Sequence, residues 1–186
     1  MKVINLHQEE KNMIQLAVDQ NRQAQQKIYN SYASKMLGVC RQYIKDLHQA
    51  EDVMITAFMK VFTNLKNFEH KGSFEGWIRR IMVNECISFI RANKKISFLE
   101  DEQYKEDSFN NIESNFTVDE IQFLIDTLPE GYKMIFNLYA IEGYKHQEIA
   151  ELLNINEGTS KSQLSHARKL LQNEIFKLKD YRNGTK

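Results

Sequence analysis

Helix-breaking residues are rare in this sequence. Proline occurs once, at Pro129, and glycine seven times among 186 residues. Proline removes a backbone donor and glycine costs conformational entropy inside a helix, so long stretches without either favour helices over turn-rich folds. Hydrophobic residues make up 42% of the chain, which is enough to form a buried core. The sequence therefore predicts an all-α protein.

Apolar residues that recur every three or four positions predict three helices in the first half of the chain. The first, over about 24–44, has an apolar face made of Ile28, Tyr32, Met36, Val39 and Tyr43. The second runs over about 49–65. Two glycines then interrupt the pattern, and Ser73 is the expected N-cap of a third helix over 74–93.

The formal net charge is zero, but the charges are unevenly placed along the chain. Residues 21–95 hold 13 Lys and Arg against 6 Asp and Glu, whereas residues 96–120 hold 1 against 8. A basic domain followed by an acidic connector is typical of a protein that binds a polyanion through its basic part. The connector has no sustained periodicity, so it is predicted to be a flexible linker.

The last third of the chain contains a helix-turn-helix pattern. Two helices are predicted, over 146–153 and about 157–178, and the tight turn 154–156 joins them. The second of these helices carries amides, hydroxyls and cations beside its apolar positions, and such groups bond base edges and phosphates. A solvated helical hairpin has a similar pattern, so this motif alone leaves both interpretations open.

Three stretches together carry a resemblance to a known family. They are AEDVMITAFMKVFTNL (50–65), GSFEGWIRRIMVNECISFIR (72–91) and LPEGYKMIFNLYAIEGYKHQEIAELLNINEGTSKSQLSHARKLL (128–171). In this order they resemble the clamp-docking helix, the promoter-opening helix and the upstream-element domain of the extracytoplasmic-function (ECF) sigma factors of the sigma-70 family. The resemblance implies an RNA polymerase sigma factor that binds core polymerase, recognises the minus-thirty-five and minus-ten promoter elements and promotes DNA melting.

The resemblance also implies two small helical domains joined by the acidic linker. The expected parts are an N-terminal extension at 1–20, a sigma region 2 domain at 21–95, the linker at 96–118, a sigma region 4 helix-turn-helix domain at 119–179 and a C-terminal tail at 180–186.

Contact residues follow from the same resemblance. A flipped base needs a polar pocket and a flat apolar surface, and the loop before the third helix offers both. The residues implied for the minus-ten element and its melting are Lys71, Gly72, Ser73, Phe74, Trp77, Arg80, Asn84 and Arg91. Those implied for the minus-thirty-five element are Thr159, Lys161, Ser162, Gln163, Ser165, His166 and Lys169. Those implied for docking on core polymerase are Asp52, Ile55, Thr56 and Met59.

Several positions depart from the family pattern. Ile55 and Thr56 stand where the family usually has Gln and Glu, which indicates a more apolar docking surface. Ser160 replaces a β-branched apolar residue at the start of the recognition helix, and Gln163 and His166 replace basic residues. A base preference different from that of other members is therefore expected.

The implied partners are the clamp and flap of core RNA polymerase and promoter DNA, both as duplex and as melted single strand. Whether an anti-sigma factor also binds stays open. No catalysis, cofactor, metal or membrane insertion is expected, and charged residues interrupt the apolar positions of the N-terminus, which predicts a cytoplasmic protein. Cys40 and Cys86 lack the spacing of a zinc or redox motif and are expected to be buried thiols.

Plainer interpretations stand beside these. Trp77 and Phe74 suit a core, Asn84 suits an interhelical amide, and the arginines suit a solvated face. A conventional regulator would bind duplex DNA through the helix-turn-helix without polymerase. A helical metalloenzyme would use pairs such as His48 and Glu51, but a metal site needs several convergent ligands.

Overall fold

The computed structural model describes residues 2–93 and 116–184, with side chains for 8–93 and 116–180. Its α-helices are α1 (Lys2–Val18), α2 (Arg22–Tyr43), α3 (Leu47–Asn64), α4 (Phe74–Asn93), α5 (Val118–Thr127), α6 (Glu130–Phe136), α7 (His146–Leu153) and α8 (Glu157–Gly184). Within this part of the chain every regular element is helical, which confirms the predicted all-α class. The chain divides into two compact units, Met1–Lys94 and Lys95–Lys186.

The first unit is built on α2, α3 and α4, which pack against one another around a shared core. Ile28, Val61 and Ile78 each contribute a side chain with no exposed surface. Burying an aliphatic side chain of this size stabilises a fold by about 1.5–3 kcal/mol. Cys40 and Cys86 also lie in this core as free thiols, as the sequence predicted.

Polar residues just before the helices fix where the helices of the first unit begin. The side chain of Asn21 accepts a hydrogen bond from the backbone N–H of Ala24 at 3.0 Å, and that of Asp46 accepts one from Gln49 at 2.8 Å. Each bond satisfies a donor that the first turn of a helix leaves unpaired. Because Asp46 caps α3, the helix begins at Leu47, two residues before the predicted start.

Most of the predicted N-terminal extension, residues 1–20, forms the helix α1. α1 packs against α2, with Ile14 and Ala17 buried between them. The side chain of Gln25 donates to the backbone carbonyl of Ala17 at 3.3 Å, and Gln20 adopts a left-handed conformation with φ of 62° where the chain turns into α2. The apolar positions of this segment make it part of the first unit.

The second unit is organised around α8, against which α5, α6 and α7 pack. Its core cluster contains Leu124, Leu128, Ala167 and Leu171. α6 passes into a π-helical turn, Asn137–Ile141, which the sequence did not predict. The chain leaves the helix at Gly143, since this glycine has φ of 76° and Tyr144 N–H closes the end on the carbonyl of Leu138.

Nearly all of the predicted acidic linker at 96–118 lies outside the described residues. Its last two residues, Thr117 and Val118, form the start of α5, where Thr117 and Glu120 make a reciprocal capping box. At the other end, α8 continues to Gly184, so residues expected in the tail remain helical. None of the described helices combines the length and the apolar character needed to cross a membrane.

Candidate nucleic-acid interface

One outward-facing stripe of α4 carries four of the predicted contact residues. Arg80, Asn84 and Arg91 are all exposed, and Ser88 lies between the last two. Spacings of three and four place them on one side of the helix. Trp77 begins the same stripe and is half-buried, because its ring packs against Phe74 and Phe68. The stripe thus presents two cations and an amide to solvent beside an indole ring.

The loop before α4 holds an irregular backbone. His70 has φ of 56° and Gly72 has φ of 93°, so the chain makes two left-handed turns within three residues. Lys71, Gly72 and Ser73 are exposed, and Ser73 Oγ accepts a hydrogen bond from Gly76 N–H at 3.2 Å. Ser73 is therefore the N-cap that the sequence predicted.

Phe74 does not project from this loop. It is 2% exposed, and its ring lies 5.1 Å from that of Phe68 and 5.9 Å from that of Trp77. The plainer interpretation of Phe74 as a core residue holds, because the first residue of α4 points into the aromatic cluster. It still touches the cavity above, so it supplies an apolar floor.

A cavity of about 540 Å³ opens above this floor. It is lined by groups from α1, α2, the loop and the start of α4: Glu10, Lys11, Tyr32, Phe68, His70, Gly72, Ser73, Phe74 and Glu75. Tyr32 Oη donates to Glu10 Oε1 at 3.1 Å, and Glu75 pairs with Lys35 at 2.8 Å. The cavity is thus lined by two buried aromatic rings, Phe68 and Phe74, and by more exposed polar side chains, which are here called its floor and its rim.

Sequence reasoning missed the contribution of α1 and α2 to this cavity. Glu10 and Tyr32 are 22 residues apart, and no local spacing signals their contact. Burial, the hydrogen bond to Glu10 and the negative charges of Glu10 and Glu75 raise the pKa of Tyr32 to about 12. The hydroxyl therefore stays protonated and keeps donating to Glu10 throughout the neutral range.

A second exposed stripe lies on α3 and contains all four predicted docking residues. Ile55 and Met59 are 51% and 63% exposed, although both are large and apolar. Asp52 and Thr56 are exposed beside them, and Thr56 Oγ1 donates to the carbonyl of Asp52 at 2.9 Å. A surface of this kind is typical of a protein contact.

The turn between α7 and α8 has the geometry of a helix-turn-helix. Asn154 ends α7 in a left-handed conformation with φ of 54°, and the N–H of Ile155 bonds the carbonyl of Ala150 at 3.0 Å. At the start of α8, Ser160 is fully buried and its hydroxyl lies 2.9 Å from Nδ1 of His146. The serine is tolerated at this apolar position because His146 satisfies its hydroxyl.

His146 lies at the start of α7 and contacts α8, with the cations Lys161 and Arg168 nearby. Its ring stacks on Tyr139 at 4.5 Å between centroids, and the guanidinium of Arg168 lies over the same tyrosine. Burial and the nearby charge of Lys161 lower the pKa of His146; Glu157 opposes them in part, and Arg168 adds a smaller lowering effect. The imidazole is therefore held neutral more firmly than a free histidine.

The face of α8 expected to read DNA is only partly available. Ser162 and Gln163, which the sequence pattern predicts on the outside, are only 2% and 1% exposed, so that prediction is wrong, and Thr159, a third predicted reader, is 8% exposed. The physical reason is that more than one face of α8 is buried. The buried surface includes the face of Ser160 and Leu164 and continues onto the adjoining side of the helix.

Four of the seven predicted readers remain at least partly exposed: Lys161, Ser165, His166 and Lys169. Lys161 pairs with Glu157 one turn earlier at 2.7 Å. The ring of His166 stacks on that of Tyr132 at 5.7 Å. These four predicted readers are therefore polar or basic, while Leu170 and Phe176 further along α8 are exposed apolar residues.

Within the described residues, no group of three or more His, Cys, Asp or Glu side chains is placed to hold a metal ion. His48 and Glu51 lie 3.7 Å apart on a solvated surface of α3. Glu148 accepts from the backbone N–H of Lys145 as a helix cap, while His146 contacts Ser160. His48 and His146 therefore each contact a different side chain, and they do not converge on a common metal site.

Two family models match the chain. Residues 28–96 match the model described as Sigma-70 region 2, and residues 119–171 match Sigma-70, region 4. The first match contains the α3 and α4 stripes, and the second contains the helix-turn-helix.

Curated relatives cover most of the chain. The ECF RNA polymerase sigma factor SigW of Bacillus subtilis is 28% identical over 165 residues, spanning 80% of this chain and 87% of SigW. The ECF RNA polymerase sigma-E factor of Escherichia coli K12 is 24% identical over 179 residues, spanning 87% and 93%. Among solved structures, CnrH in complex with the cytosolic domain of CnrY is similar with a TM-score of 0.49 at 17% identity, covering 88% of this chain and 94% of that one.

Proposed function

The chain belongs to the sigma-70 family as a sigma factor of the ECF type, and we propose how its parts divide the work of promoter recognition. As a sigma factor it binds core RNA polymerase and recognises promoter DNA. We assign polymerase docking and minus-ten melting to residues 21–95, a linker to 96–118, and minus-thirty-five recognition to 119–179.

The single observation that carries the melting assignment is that Trp77, at the start of the α4 stripe, packs against Phe68 and Phe74, which line the cavity. Arg80 and Arg91 are exposed cations suited to phosphates of the strand being separated. Asn84 lies between them with an amide that can bond a base edge. A base unstacked from this strand would lie next to the loop of Lys71, Gly72 and Ser73, over the aromatic floor of the cavity.

Docking on the polymerase clamp is assigned to the α3 stripe. Ile55 and Met59 expose apolar surface that burial in an interface would remove from water. Asp52 adds a charge that can select a basic partner group. The stripe is separate from that of α4, so one unit can contact polymerase and DNA together.

Upstream recognition is assigned to α8, entering the major groove with its N-terminal part. Lys161, Ser165, His166 and Lys169 are the contacts supported by exposure. Thr159, Ser162 and Gln163 belong to the proposal only if promoter binding uncovers them, because they are buried in the free chain.

The proposed factor has no catalytic step of its own, since strand opening uses the binding energy of a captured base. We place its action with polymerase in the cytoplasm. The flap of core polymerase is a proposed second docking surface. An anti-sigma protein is a further proposed partner, and it would act by covering one of the two exposed stripes.

Reconstitution with core polymerase tests the function. Transcripts from genomic DNA should begin at discrete promoters that core polymerase alone ignores. The double variant Arg80→Ala/Arg91→Ala should lose most of this transcription, whereas Lys45→Ala/Lys66→Ala, which removes cations elsewhere in the same unit, should retain it. Tight, specific duplex binding without polymerase, together with silent transcription, would identify a conventional regulator.

A further inference from the structure

We propose that Glu10 of α1 selects the base captured in the cavity, favouring one with an exocyclic amino group over thymine. This inference rests on the proposed function, since it concerns the base that strand opening delivers. Glu10 lies outside both segments that match the family models, 28–96 and 119–171. Its role would therefore be a property of this chain's own N-terminal helix.

The charges around the rim favour a base edge over a phosphate. Glu75 is paired with Lys35 at 2.8 Å, whereas Glu10 accepts a hydrogen bond from the neutral hydroxyl of Tyr32. Lys11 also lines the cavity, so its rim carries charges of both signs. At Glu10 itself a phosphate would meet like charge, while a base that donates hydrogen bonds would meet an acceptor.

The cavity floor suits a flat ring. Phe68 and Phe74 lie 5.1 Å apart, and the ring of Tyr32 meets Phe74 edge-on at 5.7 Å. A base stacked on such aromatic groups gains binding free energy whatever its identity. Stacking therefore holds the base in place and leaves selection to the polar rim.

Tyr32 positions the carboxylate that would make the selection. Its hydroxyl donates to Glu10 Oε1 at 3.1 Å, and its raised pKa keeps the proton on the tyrosine. A carboxylate offers about four acceptor positions, of which this bond uses one. Glu10 can thus accept from a base while it remains fixed by Tyr32.

Base chemistry decides what a fixed carboxylate prefers. Cytosine, adenine and guanine each present an amino group that donates to it. Thymine presents carbonyl oxygens in the places of these amino groups, which repel a carboxylate, and only its N3–H, between two carbonyls, can donate. Since one good contact discriminates by about 1–3 kcal/mol, the expected preference against thymine is roughly fivefold or more.

The bond between Glu10 and Tyr32 also joins α1 to α2, so a purely structural role must be distinguished. A structural bond would change thermal stability and would affect all bases alike. A selecting carboxylate changes the order of preference among bases at one position. Base preference is therefore the decisive measurement.

The test uses holoenzyme reconstituted with core polymerase. Fork-junction DNA with randomised unpaired minus-ten positions is bound, and the retained fragments are sequenced. Wild type should exclude thymine at one position. Glu10→Gln keeps an acceptor for Tyr32 but adds a donor, so the preference at that position should fall below about twofold. Tyr32→Phe should weaken the same preference by freeing Glu10. Glu9→Gln, an exposed neighbour outside this cavity, should match wild type.

Each outcome decides the matter. Selective loss of the thymine bias in Glu10→Gln supports the inference. An unchanged base pattern in that variant overturns it, as does a uniform loss of binding across all fragments. If wild-type holoenzyme retains no minus-ten fragment above background, the proposed function fails and the inference fails with it.

Discussion

The hydroxyl of Ser160, at the start of the recognition helix, connects this helix to α7. Ser160 is fully buried, and its partner His146 lies 14 residues earlier on α7. An apolar residue would fill the same place by packing alone, whereas serine there requires a polar partner. His146 provides that partner, so a serine fits at this buried position.

Asn84 is the residue whose loss should separate DNA binding from DNA opening. A base reaches its amide only after unstacking, so Asn84→Ala should leave the closed complex intact and lower the fraction of open complex. Losing one polar base contact of about 1–3 kcal/mol corresponds to a reduction of roughly fivefold or more. Permanganate reactivity of minus-ten thymines measures this. Ser88→Ala, one turn further along the same stripe, is the control, and normal opening by Asn84→Ala would remove Asn84 from the site.

Lys161 tests the backbone contacts of the recognition helix. Lys161→Ala should weaken holoenzyme binding similarly across promoter variants and lower the slope of log affinity against log salt by about one unit, as expected for one phosphate contact. Glu157→Gln removes its ion-pair partner while keeping the cation, so affinity should hold or rise. Binding at two salt concentrations measures both. A change confined to one base pair would show that Lys161 reads a base.

Residue-level burial was the hardest property to predict from the sequence. Periodicity identifies the stripe that packs into a core, as it did for Leu164 and Ala167, both buried. It does not identify a second buried face made of polar residues. Thr159, Ser162 and Gln163 are of types that usually lie outside, so their burial is visible only in the folded chain.

At the scale of helices, prediction succeeded where local chemistry marks both ends. α4 spans the predicted 74–93 because Ser73 caps it and a left-handed glycine precedes the cap. The sequence predicts only an extension over residues 1–20, because the packing of α1 on α2 is a tertiary contact that no local pattern indicates. The π-helical turn Asn137–Ile141 has no sequence signature, since it depends on how the chain fits its neighbours.

The outer face of α3 should bind core polymerase through its exposed apolar side chains. Replacing Ile55 and Met59 by serine should lower affinity for core polymerase at least tenfold, because both lose apolar area that the interface buries. Leu16→Ser on α1 is a matched control, since Leu16 is 50% exposed. A competition assay against a reference sigma factor measures the affinity. Equal competition by all variants would place the docking surface elsewhere.

On the scale of the whole molecule, each unit has its own hydrophobic core. The unfolding of the two units can be followed by different spectroscopic signals. The chain has one tryptophan, Trp77, which lies in the first unit. Tryptophan fluorescence therefore follows the first unit, whereas circular dichroism follows the helices of both. The two signals together can separate the stability of one unit from that of the other.

Stability of the second unit should depend on the protonation of His146. Its pKa is lowered in the folded state by burial and by Lys161 and Arg168, so below about pH 6.5 the unfolded state binds more protons. The stabilising effect is fully present above the unfolded pKa and is lost as pH falls from 6.5 towards the folded pKa. Unfolding followed by circular dichroism should therefore shift to lower temperature in this window, while the Trp77 signal shifts less.

His146→Gln should reduce that pH dependence, because glutamine can bond Ser160 without titrating. His48→Gln, an exposed residue of the first unit, serves as the control and should leave the second unit's transition unchanged. An acid-induced shift of equal size in His146→Gln would assign the pH dependence to other groups.

The two buried thiols of the first unit can report how often its core opens. Cys40 and Cys86 expose no surface, so an alkylating reagent can modify them only during transient opening of the core. When the reagent captures every opening, the labelling rate equals the opening rate; when reclosing is faster, it reports the open population. We expect this core to open less often while the protein is bound to polymerase. The time that the two thiols stay unlabelled would therefore report how long the sigma factor remains bound.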